Sequence, residues 1–190
     1  MPEWGTYGLS DFLMFSPQAY WRLVARANAA WWPAQLLGVA ASLALPWMVL
    51  RGRGRAALVI LAAAWAWVAW SFLARWYAEI FIAAPSLAIA AGAQALLLLA
   101  ASLAVRGSSP SSRVGIPLLA IAQLYPLLAP LAGHAPGEAE TFGFLPDPTA
   151  LATVGVLLSL RALPRGWRAV LALVPVLALL LGAATRWLVG

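Results

Sequence analysis

The side chains able to do chemistry in this chain are few, and they fall into small groups. His134 and Glu138 have a spacing that would bring two metal ligands together on a helix, with Glu140 nearby, although Pro136 and Gly137 between them disfavour helix there. Arg75 and Glu79 have the same spacing and would share one helix face, as an ion pair or as a polar site at the mouth of a bundle. Asp147, just before Pro148, suits a helix start, and with Glu138 and Glu140 it places half of the six acidic residues in one short segment.

Two further groups lie inside apolar runs. Gln94 and Gln123 fall at similar distances from the connector between their runs, so they sit at one depth. An interhelical amide bond between them would contribute about 0.6 kcal/mol, up to about 2, and the alternative is that both line a polar cavity. Trp65, Trp67 and Trp70 lie mid-run, where flat indoles either pack between helices or stack on a quinone, a carotenoid or a lipid tail.

Several chemistries are excluded. Cysteine is absent, which removes iron-sulfur clusters, thiolate zinc sites and disulfides. His134 is the single histidine, so no haem is expected from bis-histidine ligation within this chain, and none is buried to hold one. No nucleophile elbow, phosphate loop or zinc-protease motif is present. An enzyme would have to work at the outer surface through His134, Glu138, Glu140 or Asp147, and that reading has no positive support. The net charge of +6 comes from arginines in short clusters rather than from one basic face, which argues against nucleic acid.

The elements that must position these residues follow from composition. Of 190 residues, 64% are hydrophobic and 9% charged, too apolar for a water-facing surface. Apolar runs at residues 29–50, 56–77, 85–105, 114–132, 149–163 and 169–189 predict an all-α integral membrane bundle of about six transmembrane helices, the fifth being the shortest. Residues 1–28 carry no basic cluster ahead of an apolar run, unlike a cleavable signal peptide. From Ser16, an N-cap followed by Pro17, they predict an outer interfacial helix. The whole of 1–190 reads as one transmembrane domain with no room for a separate soluble one.

Orientation follows from the connectors. RGRGR from Arg51, RGSSPSSR from Arg106 and RALPRGWR from Arg161 fall on one side and hold eight of the twelve cationic residues, all arginine. That side is expected to be cytoplasmic, with both termini extracytoplasmic. Glu3, Asp11, Glu79, Glu138, Glu140 and Asp147 then all fall on the outer side, with the histidine and many interfacial aromatics. Pro33, Pro46, Pro117, Pro126, Pro130 and Pro175 interrupt the runs, and the YPLLAP stretch from Tyr125 must bend.

The segments WGTYGLSDFLMFSPQAYWRL, NAAWWPAQLL and TFGFLPDPTALATVG resemble a bacterial family of multi-pass membrane proteins known only as a domain of unknown function. The resemblance implies no activity, substrate or cofactor, and transfers no site. The expectation is therefore a non-catalytic accessory subunit or scaffold in the bacterial inner membrane. It would meet the lipid bilayer and another membrane protein or extracytoplasmic partner through an outer face bearing Arg75, Glu79, Glu138, Glu140 and Asp147. The rival expectations are a small-molecule transporter or channel around the kinked fourth run, and the outer-surface enzyme.

Overall fold

A computed structural model describes residues 16–105 and 112–189. Residues 1–15, which include Glu3 and Asp11, and residues 106–111 of the RGSSPSSR connector lie outside the described residues. Among the described residues the chain is all helical, without strands. The helices are α1 Pro17–Trp31, α2 Gln35–Leu50, α3 Gly54–Trp67, α4 Ala84–Ala104, α5 Ile116–Leu124, α6 Leu128–Leu131, α7 Pro146–Ser159 and α8 Arg165–Val189. Beyond Trp67 the third helix widens into π-helical Val68–Ala74, and a 3-10 turn follows at Tyr77–Glu79.

Local chemistry sets several of these boundaries. Ser16 caps α1, its hydroxyl accepting from the Ala19 amide at 3.3 Å, and Pro17 occupies the first turn, where a missing N–H costs nothing. Pro33 cannot continue α1, and the chain turns by 94° into α2. Pro85 opens α4. Pro126 and Pro130 divide the fourth run into α5, a 3-10 turn at Tyr125–Leu127 and α6.

The expected six spans are reduced by these breaks. Gly54–Glu79, Ala84–Ala104 and Arg165–Trp187 are long and apolar enough to cross a membrane; α1 and α2 together make a fourth if the bent pair is one span. Ile116–Leu131 is shorter, and α7 has only 14 residues. Pro126 and Pro130 account for the first shortfall. α7 is the central helix, packed by α2, α3, α5 and α8, and most of its residues are buried. Enclosed by other helices, it carries polar Asp147, Thr149, Thr153 and Ser159 that a free-standing apolar helix would not.

Close backbone approach holds α7 in place. A side chain on Gly115 would collide with the Gly155 carbonyl, and one on Gly155 would meet Leu119 at 3.0 Å, so α5 and α7 touch through two glycines. The hydroxyls of α7 are satisfied along the helix. Thr149 accepts from the Gly143 amide at 2.8 Å and donates to the Leu145 carbonyl at 2.7 Å, while Thr153 accepts from the Trp65 indole at 2.9 Å.

The two glutamines do not bond to each other. Gln94 Nε2 donates to the Leu171 carbonyl at 2.8 Å, and Gln123 Nε2 donates to the Ser42 carbonyl at 3.1 Å. Both acceptors have one origin. Leu171 precedes Pro175 by four residues and Ser42 precedes Pro46 by four, so each carbonyl is the one that a proline, lacking N–H, leaves without its helical donor. A glutamine from a neighbouring helix replaces the missing donor in each case.

The ends of the bundle differ. Gly54 lies against Leu160 and Val105, and the Ser112 amide donates to the Ser159 carbonyl at 2.8 Å, so the arginine-bearing connectors gather at one end. The residues of the acidic segment gather at the other.

The glutamine-proline pairing has a measurable signature. Gln94→Leu should destabilise the folded protein by about 1–2 kcal/mol, and by clearly less when Pro175→Ala restores the helical donor to Leu171. A double-mutant cycle on thermal unfolding in detergent reads the coupling; equal losses in both backgrounds would refute the pairing.

Candidate functional site

The polar end of the bundle is built around the loop that joins the 3-10 turn Pro136–Glu138 to α7. Asn28 of α1 holds the start of this loop, its amide donating to the carbonyls of Gly137 at 2.8 Å and Ala139 at 2.9 Å. Gln35 fixes Asn28 in turn by donating to its carbonyl at 2.7 Å. Gly143, with φ +78°, turns the chain back, and Gly38 of α2 leaves room for the Phe142 carbonyl. The loop is thereby folded inward, and Glu140 goes with it.

Glu140 and Asp147 meet on one guanidinium. Arg186, near the end of α8, donates from Nη1 to Glu140 Oε2 at 3.3 Å and from Nη2 to Asp147 Oδ2. Tyr20 of α1 donates to Glu140 Oε1 at 2.8 Å, and Tyr125 donates to Asp147 Oδ2 at 3.2 Å. The Arg186 guanidinium also lies 5.3 Å from the centre of the Tyr125 ring. Glu140 is 4% exposed and Asp147 5%, while the Arg186 side chain is 37% exposed and forms the outward side of the cluster. Gly182, one turn before Arg186, is required because a methyl there would collide with the Asp147 carboxylate.

Two carboxylates share one cation, so the cluster is electrically neutral when one proton is held. Burial, reinforced by the Asp147 carboxylate and opposed by Arg186, pushes the Glu140 carboxyl up to about 7. The arrangement can therefore hold or release a proton near neutrality, and it ties α1, the loop, the fourth-run helices, α7 and α8 at one point.

The other sequence candidates are placed as follows. Glu79 pairs with Arg26 of α1 at 3.5 Å rather than with Arg75. The π-helical and 3-10 segments destroy the α-helical register that would put Arg75 and Glu79 on one face. Arg75 instead lies over Trp31 at 5.8 Å and Trp76 at 5.9 Å. His134 and Glu138 approach at 3.3 Å, Glu138 also accepts from the Ala135 amide at 3.1 Å, and Trp21 packs against the imidazole at 4.0 Å. Among the described residues no third carboxylate or histidine joins them in a metal-binding group. Trp65 is buried against α7. Trp67 and Trp70 form a triangle with Trp31, at 4.9, 5.4 and 5.2 Å between ring centres.

Sequence reasoning placed Glu140 and Asp147 on an exposed face; they lie at that end but point inward. It also missed Arg186, Tyr20 and Tyr125 as their partners. A usable signal was present: Arg186 lies in the last apolar run, where an uncompensated cation is costly, so an acid had to be sought for it.

Two substitutions probe the cluster. Because folding raises the Glu140 value from 4.5 to about 7, the folded state binds the proton more tightly, and this stability is present below the unfolded value and lost as pH rises through about 7. The melting temperature should fall between about pH 5 and about pH 8, and Glu140→Gln should flatten that fall. Gly182→Ala, ordinarily favourable in a helix by up to about 1 kcal/mol, should here destabilise by about 1–3 kcal/mol through overpacking against Asp147, read as a lowered melting temperature.

Comparison with known proteins gives one match. The chain matches the family model described as Family of unknown function (DUF6064) over residues 17–190. The opening stretch from Trp4 to Ser16 falls outside the matched residues, whereas the TFGFLPDPTALATVG segment that carries Glu140's neighbour loop and Asp147 falls inside them. No curated protein and no solved structure matches. With nearly the whole chain covered, from α1 through α8 and including every residue of the ionic cluster, the protein belongs to the DUF6064 family of unknown function.

Proposed function

We propose that this chain is a multi-pass protein of the bacterial inner membrane that serves as a non-catalytic subunit or scaffold of a larger membrane complex, engaging its partner at the polar end of the bundle. The observation that carries this reading is α8. In its apolar stretch Arg165–Trp187 only Leu171 and Pro175 are buried, and Leu173, Leu177, Leu180 and Leu181 are all exposed, yet the same helix ends in the ionic cluster. A surface of that kind is stable against hydrocarbon, not water.

Other features support it. The short helices α5, α6 and α7 are compatible with a bilayer because broken helix is tolerated where it is buried in protein, as α7 is among α2, α3, α5 and α8. The gathering of arginine-bearing connectors at one end agrees with a cytoplasmic orientation of that end and an extracytoplasmic orientation of the other. The described acids Glu79, Glu138, Glu140 and Asp147 each face a basic partner within the chain. For Glu79, Glu140 and Asp147 that partner lies on another element, so their charge joins separate parts of the fold, which favours a structural role over turnover.

The protein should remain with membranes after alkaline carbonate washing, and purification in mild detergent should bring down a second membrane or extracytoplasmic protein in stoichiometric amount. A monodisperse chain with no companion would overturn the subunit reading; release by carbonate would overturn the membrane reading.

A further inference from the structure

The polar end also presents a cationic and aromatic surface that the ionic cluster does not use. Arg26 and Arg75 flank one indole, with their guanidinium carbons 5.1 and 5.9 Å from the centre of the Trp76 ring. Only one carboxylate serves the two cations, since Glu79 pairs with Arg26 at 3.5 Å and, among the described residues, none lies within ion-pair distance of Arg75. Arg75 is exposed, and the two rings it covers, Trp31 and Trp76, have buried indole N–H groups with no acceptor among the described residues. An unbalanced guanidinium therefore lies against donors that are themselves unsatisfied.

The apolar side of this surface is continuous with the cation. Trp31, under Arg75, packs at 5.4 Å against Trp70, which is 52% exposed. A path thus runs from a charge, across stacked indoles, to an exposed apolar ring. A free small anion would use the first part only. An amphiphile uses both.

We propose that Arg75, with Arg26 and the indoles of Trp31, Trp76 and Trp70, forms a binding site for an anionic glycerophospholipid, the phosphate seated at Arg75 and an acyl chain lying along Trp70. The site rests on the membrane reading above. Charge complementarity selects the headgroup, because among the described residues the surface carries one more cation than anion, and exposed aromatic area selects the tail.

The test uses the full chain, purified in detergent and stripped of lipid, with bound lipid measured by native mass spectrometry. Phosphatidylglycerol should bind about tenfold more tightly than phosphatidylcholine, and Arg75→Gln should remove that preference. As a matched control for lost charge, Arg53→Gln at the opposite end, where that arginine stacks on Trp47, should leave the preference unchanged. The proposal is overturned by equal binding of the two lipids, by an Arg75→Gln protein that retains the preference, or by the control losing it equally. Binding of inorganic phosphate as tightly as the lipid would overturn the assignment of the tail. Carbonate release of the protein from membranes would instead count against the membrane reading, so the two failures are separable.

Discussion

Two carboxylates and one guanidinium, brought together inside an otherwise apolar bundle, set the conditions that the rest of this protein satisfies. Glu140 and Asp147 are almost fully buried, and removing the cation from such a group costs about 3–5 kcal/mol because the carboxylates are left without compensation. Arg186 has to reach both, so α8 must run back to the polar end with a bare backbone at Gly182 facing Asp147. The loop before α7 has to fold inward, which explains the Asn28 clamp on Gly137 and Ala139 and the left-handed turn at Gly143. Tyr20 and Tyr125 complete the carboxylates' bonds and fasten α1 and the broken fourth-run helix to the same point.

A second constraint operates away from that point and is met by different means. Backbone groups in apolar surroundings need partners, and prolines at 46 and 175 each remove one donor. Gln94 and Gln123 supply replacements from adjacent helices. The bends are thereby held by their neighbours, and each glutamine fixes the depth of one helix against another. The Gly115 and Gly155 contact does for α5 and α7 what these amides do elsewhere, with van der Waals contact in place of a hydrogen bond.

How much of this could be read from residues alone depended on whether the information was axial or azimuthal. The run at 85–105 became α4 at Ala84–Ala104 because Pro85 and the arginine after Val105 mark its ends chemically. The fifth run was expected to be shortest, and α7 is short, though it begins at Pro146 rather than 149. The pairing expected between Gln94 and Gln123 failed because the direction each side chain takes around its helix is not legible in the sequence, and that direction selected a carbonyl over the other amide. The Arg75 and Glu79 expectation failed for a related reason, since it assumed α-helical periodicity through a stretch that winds as π-helix. The inward turn of Glu140 depends on a cation 46 positions later in the chain, which local patterning does not contain.

That separation has a bearing on biosynthesis. Arg186 emerges 39 residues after Asp147 and 46 after Glu140, so during translation both carboxylates are made before the group that neutralises them. Until α8 arrives, the Asn28 clamp and the two tyrosines are available, but Glu140 and Asp147 lack a cation, and an ionised carboxylate favours water over an apolar interior. The arrival of α8 thus closes the ionic cluster. A polypeptide cut short within α8 would leave both acids without their cation at the polar end of the bundle.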